Sequence, residues 1–254
     1  MRWPHPQHGL LTSAQFLPLA EQAGLMDRLA EVVLDRAADQ HRTWRRSGLE
    51  LRVAVNVSAT NLRDPAFATY VAKTLARYEM SPKSLVIEIT EDTLITNRET
   101  CVKVLKELRA LGVSIAVDDF GVGHSSLAYL HELPVDELKL DRSLIVAAET
   151  DERAAAIVSA ALSLARALDL HVVAEGIETA GGYRRLASLR CDTAQGDFLC
   201  PAVAPEALAE WLDLRPTTPR AVALPVDLAV PLEPAPTAVD QRAAVTSTGS
   251  STSA

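Results

Sequence analysis

The chain has 254 residues, 48% of them hydrophobic and only 4% aromatic, with a formal net charge of -8. That length suits one large α/β domain or two small ones with an aliphatic core of Leu, Val and Ala. The acidic balance argues against general binding of polyanions such as DNA or RNA, although divalent ions can screen a phosphate compound from an acidic protein. Three cysteines, Cys101, Cys191 and Cys200, stand in no C-x-x-C spacing. A disulfide framework and a thiolate zinc site are therefore not expected, and a reducing compartment fits. The N-terminus lacks the basic-then-apolar order of a secretory signal. The longest apolar run, about Ala154 to Ala165, is too short to span a bilayer. These features predict a cytoplasmic protein with no membrane segment.

In chain order, Pro4, Pro6 and Gly9 predict an extended entry over residues 1–13. Thr12 or Ser13 caps a helix over Ala14 to Ala23, stopped by Gly24. A second helix follows from Met26 to about Arg46, with Leu29, Val32, Val33 and Ala37 at helical spacing. Leu51 to Val57 alternates and is β-branched, predicting a strand that delivers Asn56. A helix is expected from Asp64 or Pro65 to Tyr78. Leu85 to Ile89 is the next strand, carrying Glu88 and leading to Glu91, and a helix from about Arg98 to Leu111 ends at Gly112.

The central stretch is Ile115-Ala116-Val117-Asp118-Asp119-Phe120-Gly121-Val122-Gly123-His124-Ser125-Ser126-Leu127. It reads as a buried strand running into two adjacent carboxylates, then a two-glycine loop and a helix start at Ser125 or Ser126. Neighbouring carboxylates repel unless a cation sits between them. An Asp-Gly turn with one Asp as a helix cap is the alternative. Val135 to Asp141 is a further strand with Lys139. Thr150 caps a long helix over Asp151 to Leu168. His171 to Ala174 is a strand ending at Glu175-Gly176-Ile177-Glu178. A helix near Gly182 to Leu189, a weak strand at Cys191 to Gly196 with Gln195, and a helix from Pro205 to Leu212 complete the order. From about residue 213 to 254 Pro, Ala, Thr and Ser dominate, which predicts a disordered tail.

Strand and helix alternate every 25–35 residues or so, the βαβ pattern of a parallel sheet. Polar residues cluster at the strand ends: Asn56, Glu88, Asp118 with Asp119, Lys139, Glu175 and Gln195. In a barrel those ends meet on one face. Oxygen donors of this kind favour Mg²⁺ or Mn²⁺, and two such ions suit attack of water on a phosphodiester. Each residue also has a structural role open to it: a strand-end cap, an ion pair with a helix, a pairing of Lys139 with Asp141, a turn.

The chain resembles the EAL domain, the family of bacterial cyclic di-GMP phosphodiesterases, over roughly Arg2 to Leu212. The matching motifs are Val55-Asn56-Val57-Ser58, Glu88-Ile89-Thr90-Glu91, Asp118-Asp119-Phe120-Gly121, Leu138-Lys139-Leu140-Asp141, Ala174-Glu175-Gly176-Ile177-Glu178-Thr179 and Gln195-Gly196, in matching order and distance. The resemblance implies an α/β fold, a modified TIM-like barrel with one antiparallel strand. It implies hydrolysis of cyclic di-GMP to linear pGpG in second-messenger signalling, with two Mg²⁺ or Mn²⁺ ions and inhibition by Ca²⁺. By the same resemblance Asn56, Glu88 and Asp118 hold one metal, and Asp118 and Asp119 hold the second with help from Glu175. Lys139 then contacts the attacking water, Gln195 positions water or metal, and Glu91 steadies the Asp119 loop. Arg2 contacts substrate phosphate, and Asp141 and Glu178 join the substrate-binding set. Homodimers and an upstream sensor or cyclase domain are implied partners.

The chain starts at Met1-Arg2-Trp3, just inside the Glu-Ala-Leu motif, so that Glu and most of the first strand fall upstream of Met1. The loop has Val122 and His124 where the family usually has Thr and Tyr. Phe198 follows Asp197, where an aromatic usually follows the Gly directly. The expectation is poor binding of the first metal and hydrolysis that is slow or absent. A non-catalytic cyclic di-GMP receptor and a pure interaction module are the competing readings.

Overall fold

The computed structural model describes residues 2–94, 98–122, 130–213, 223–224 and 229–231. An antiparallel hairpin opens the chain, β1 (Arg2–His5) with β2 (Gly9–Thr12). The expected extended entry is therefore paired with itself, and Gly9 at φ 69° makes the turn. Trp3 packs its ring edge-on against Phe16 of α1 (Ser13–Gln22).

Six parallel strands follow: β3 (Arg52–Asn56), β4 (Leu85–Thr90), β5 (Ser114–Phe120), β6 (Glu137–Leu140), β7 (His171–Ala174) and β8 (Thr193–Gln195). Each pairs with the next in chain order. Two short strands, β9 (Ala223–Leu224) and β10 (Ala229–Pro231), close the circle, and β10 runs against β8. The expected α/β, TIM-like parallel sheet is observed; the antiparallel strand beside β8 is β10, from the stretch whose composition predicts disorder. Five residues of the stretch assigned to disorder by composition are thus strand. The overlooked signal was alternation: Val222, Leu224, Val226, Leu228, Val230 and Leu232 recur at every second position.

The covering helices are α2 (Met26–Arg46), α3 (Ala59–Arg63), α4 (Phe67–Arg77), α5 (Arg98–Leu111), α6 (Arg142–Ala147), α7 (Glu152–Ala167), α8 (Ala180–Ser188) and α9 (Pro205–Asp213). Helix α2 buries Ala30, Leu34, Ala38 and His41, one face at helical spacing. The sequence reading missed α3. Ser58 and Asn61 form a reciprocal cap at its start, and Asn61 Nδ2 donates to Asp27 Oδ1 at 2.8 Å. It also missed α6, which Asp141 caps by accepting from the Ser143 amide. The cap of α7 is Asp151 rather than Thr150. The helix expected at Ser125 or Ser126 lies outside the described residues.

Strand alternation sorts the side chains into two sets. Val53, Val55, Leu85, Ile87, Ile89, Ile115, Val117, Leu138, Leu140, Val172 and Ala174 join the main core under the helices. The alternate residues face the barrel interior in layers. Ala54, Val86 and Ala116 form a separate apolar cluster there. Below it, Arg52 of β3 pairs with buried Glu137 of β6, and His171 Nε2 meets Thr193 Oγ1 at 2.7 Å. Above it, at the C-terminal strand ends, lie Asn56, Glu88, Asp118, Lys139 and Gln195.

Candidate active site

Register brings the upper residues together. Asn56 lies opposite Glu88, and Asn56 Nδ2 donates to Glu88 Oε2 at 2.8 Å. Lys139 sits at the centre. Its Nζ lies 2.7 Å from Glu88 Oε1, 3.1 Å from Asp118 Oδ1 and 2.5 Å from Glu175 Oε1. Two strands and the loop after a third therefore deliver three carboxylates to the ammonium on β6. Both Glu88 and Lys139 are almost wholly buried, at 2% and 4% exposure.

Burial favours the uncharged forms, and the ion pairs oppose it. Burial pushes Glu88 up, nearby Asp118 adds to the rise, and Lys139 resists it. Burial also drives Glu175 up to about 7, again against Lys139. Burial alone would lower Lys139, but Glu88, Glu175 and Asp118 together outweigh it, so the ammonium is held protonated above its ordinary range.

Asp118 also accepts from the Asp119 amide at 3.0 Å. Between Val117 and Phe120 the β5–β6 ladder shifts register, a bulge, and Asp119 takes φ 56°. Such a backbone is uncommon for a residue other than glycine and gathers at functional sites. Asp119 is consequently exposed at the rim rather than packed among the helices.

The loop carrying Glu175 is stitched to its neighbours. The Glu175 amide donates to Leu140 O at 3.1 Å, the Ile177 amide to Gln195 O at 2.9 Å and the Phe198 amide to Ile177 O at 3.0 Å. Gly196, at φ 155°, lies so close to this loop that a Cβ there would run into the backbone N and O of Ile177. Gln195 is 4% exposed, and its Oε1 is a buried oxygen with no partner among the described residues. Such an orphan costs free energy unless a ligand or water meets it.

The other expected residues sit as follows. Glu91 opens a short 3₁₀ turn, Glu91–Leu94, beyond β4, where Thr90 Oγ1 and Thr93 Oγ1 are 2.9 Å apart. Asp141 caps α6 and Glu178 pairs with Arg142, so the described contacts of both are to neighbouring backbone and side chains. Arg2 is exposed on the hairpin. The sequence reading overlooked the lower polar layer of Arg52, Glu137, His171 and Thr193, although each stands at an inward position by the same alternation.

In donor type and charge the site suits hard divalent cations: carboxylates, an amide and a net negative balance around one ammonium. Among the described residues, no three His, Cys, Asp or Glu side chains are already spaced to hold a metal ion. The cation that the three carboxylates share is Lys139 Nζ.

A family model described as EAL domain matches residues 1–202. The chain is 44% identical over 200 residues to a Pseudomonas aeruginosa protein named bifunctional diguanylate cyclase/cyclic di-GMP phosphodiesterase MucR, covering 78% of this chain and 29% of that protein. It is 41% identical over 213 residues to the cyclic di-GMP phosphodiesterase NbdA of the same organism, covering 84% of this chain and 27% of NbdA. The chain thus spans under a third of the length of these relatives. A solved structure described as PaMucR phosphodiesterase, c-di-GMP complex, superposes with a TM-score of 0.77 at 43% identity, over 82% of this chain and 84% of that one. No helix among the described residues is long and apolar enough to cross a membrane.

Proposed function

The chain belongs to the EAL domain family, and on that basis we propose that it hydrolyses cyclic di-GMP to linear pGpG in bacterial signalling. One water adds to phosphorus and one of the two bridging ester bonds breaks, giving a phosphate monoester and a hydroxyl. The observation that carries this reading is the convergence of Glu88, Asp118 and Glu175 on Lys139 at one rim.

Two Mg²⁺ or Mn²⁺ ions would be held by Asn56, Glu88, Asp118, Asp119 and Glu175, and would supply charge neutralisation and an activated water. The remaining roles fall to the chain's own groups. Lys139, protonated throughout the neutral range, is an electrostatic and hydrogen-bonding group rather than a base. Glu175, driven up to about 7 by burial in the metal-free site and 2.5 Å from Lys139 Nζ, helps to fix that ammonium in place. The buried Oε1 of Gln195 offers an acceptor for the attacking water. The well-packed core beneath Glu88 and Lys139 keeps bulk solvent out and strengthens each of these interactions.

The test is hydrolysis of cyclic di-GMP by the purified chain with Mn²⁺ or Mg²⁺, read by chromatography of pGpG. Asp118→Asn is expected to lower turnover by at least about 100-fold, since it removes a carboxylate shared by both proposed metal sites. A second reading is a cyclic di-GMP receptor without turnover. It draws on the observation that Lys139 occupies the centre of the carboxylates and no metal-ready triad stands among the described residues. Binding of cyclic di-GMP with Ca²⁺ and no hydrolysis with Mn²⁺ would select it. Absence of binding under both conditions would refute both readings.

A further inference from the structure

Of the three carboxylates around Lys139, Glu175 alone comes from a loop, residues 175–179 between β7 and α8. Side chains from the segment after β6 reach that loop at two points. At the first, Arg142 lies across Gly176. A Cβ on Gly176 would stand 2.1 Å from Arg142 Cγ and 2.5 Å from Arg142 Cβ, and Gly176 holds φ 69°. The Arg142 guanidinium then pairs with Glu178. At the second, Thr179 Oγ1 donates to Glu149 Oε2 at 2.8 Å. The same hydroxyl accepts from the Gly182 amide at 2.9 Å and so caps α8. A Cβ on Gly182 would stand 2.6 Å from Glu149 Oε1, so the carboxylate lies in room that the glycine leaves. We infer that Arg142 and Glu149 are positioning residues, which clasp residues 175–179 at both ends and hold Glu175 at the rim beside Lys139.

The clasp has a firm base. Leu144, Ile145 and Ala148 bury the inner face of α6 and its end, and Asp141 caps its start. Lys139 and Arg142 stand three residues apart in one continuous segment. The ammonium and the first point of the clasp are therefore carried together, and any shift of α6 moves both.

An exposed ion pair such as Arg142 with Glu178 is by itself a weak tie. Here the aliphatic stem of Arg142 also packs against Gly176, a contact that survives screening by salt. At the second point the Glu149 carboxylate meets the first turn of α8, the end of a helix that favours negative charge. The effect on turnover rests on the phosphodiesterase reading, because a misplaced carboxylate slows chemistry only where chemistry occurs. The clasp itself rests on geometry alone.

The test compares the full chain with Arg142→Ala and Glu149→Ala, and with the conservative Arg142→Lys and Glu149→Gln. Lysine keeps a stem and a charge, and glutamine keeps an oxygen for the Thr179 hydroxyl. The first measurement is residue-resolved amide exchange without metal. The Glu175 and Ile177 amides, which donate to Leu140 O and Gln195 O, are expected to exchange at least about 5-fold faster in each alanine variant. Residues 115–117 are expected to keep their protection, and the conservative variants to restore the loop. Unchanged exchange at both amides overturns the inference. So does protection lost equally at residues 115–117 or not restored by lysine and glutamine, because the two side chains would then serve the fold at large. The second measurement is steady-state hydrolysis of cyclic di-GMP with Mn²⁺. Each alanine variant is expected to lower kcat at least about 10-fold with KM within about 2-fold of wild type. Wild-type kcat in both alanine variants overturns the positioning role. A wild-type chain that binds cyclic di-GMP without turnover refutes the phosphodiesterase reading instead, and amide exchange then decides the clasp.

Discussion

Replacing Lys139 by Met removes the one ammonium from the centre of three carboxylates and leaves the aliphatic stem in place. The Nζ lies within 3.1 Å of Glu88, Asp118 and Glu175, and the lysine is 4% exposed. Breaking a buried ion pair from one side costs about 3–5 kcal/mol, because the partner is left charged and dry. Here three partners are left, and proton uptake by Glu88 and Glu175 offsets part of the cost. The lower bound, about 3 kcal/mol at pH 8, corresponds to a fall in Tm of about 6–12 °C for a chain of this size. The assay is thermal unfolding of wild type and Lys139→Met in a metal chelator. The loss is expected to shrink at pH 5, where the stranded carboxylates hold protons in the folded state. Mn²⁺ is then expected to raise the Tm of the variant more than that of wild type, since the ion takes the place the ammonium held. A Tm within 2 °C or so of wild type at pH 8, or equal stabilisation of both proteins by Mn²⁺, refutes the view that Lys139 is the cation of this site.

Glu175 gives a pH signature without metal. Its folded-state pKa is raised from 4.5 to about 7, chiefly by burial, so between those values the folded chain binds a proton that the unfolded chain releases. The stabilisation, about 3 kcal/mol for such a rise, is complete below pH 4.5 and is lost as pH climbs through 7. Chemical denaturation across pH 4.5–8 is expected to show that decline in wild type and a flatter profile in Glu175→Gln; parallel profiles refute it. Gly196→Ala is expected to cost about 3 kcal/mol or more, because the added Cβ meets the Ile177 backbone and the residue holds φ 155°. Urea midpoints check it, and a loss below about 1 kcal/mol means that the Glu175 loop yields easily.

Much of the barrel was legible because its strands are short, aliphatic and regularly spaced, and because period-2 alternation sends the polar residues inward. Asn56, Glu88, Asp118 and Lys139 each follow from that rule. What the sequence hid is instructive. Alternation was read for the core and not for the ends of the strands, so Arg52, Glu137, His171 and Thr193 escaped notice although they obey the same period. Helix α3 was hidden because five residues carry too little periodicity, and only the Ser58–Asn61 cap announces it. Spacing along the chain offers Lys139 only Asp141, two residues along, as a partner, because carboxylates on other strands are invisible to it. In the fold Lys139 meets Glu88, Asp118 and Glu175, while Asp141 lies beyond the strand end and accepts from the Ser143 amide of α6. The tail was judged on its Pro, Ala, Ser and Thr content, an average that conceals an alternating stretch within it.

The pairing of Asp118 with Asp119 raises a problem that strand geometry alone cannot solve. Consecutive residues on a strand face opposite ways, so a regular β5 that aims Asp118 into the barrel aims Asp119 at the buried helix side, beside Val117. A carboxylate there would be desolvated without a partner and would cost several kcal/mol. The register shift between Val117 and Phe120, with φ 56° at Asp119, removes the conflict: Phe120 returns to the core at 6% exposure while Asp119 stays in solvent at the rim. The strained residue is thus the condition for placing two neighbouring carboxylates at one end of one strand. That backbone costs on the order of 1–3 kcal/mol, and it leaves both acids at the rim, the arrangement on which the proposed divalent-cation site depends.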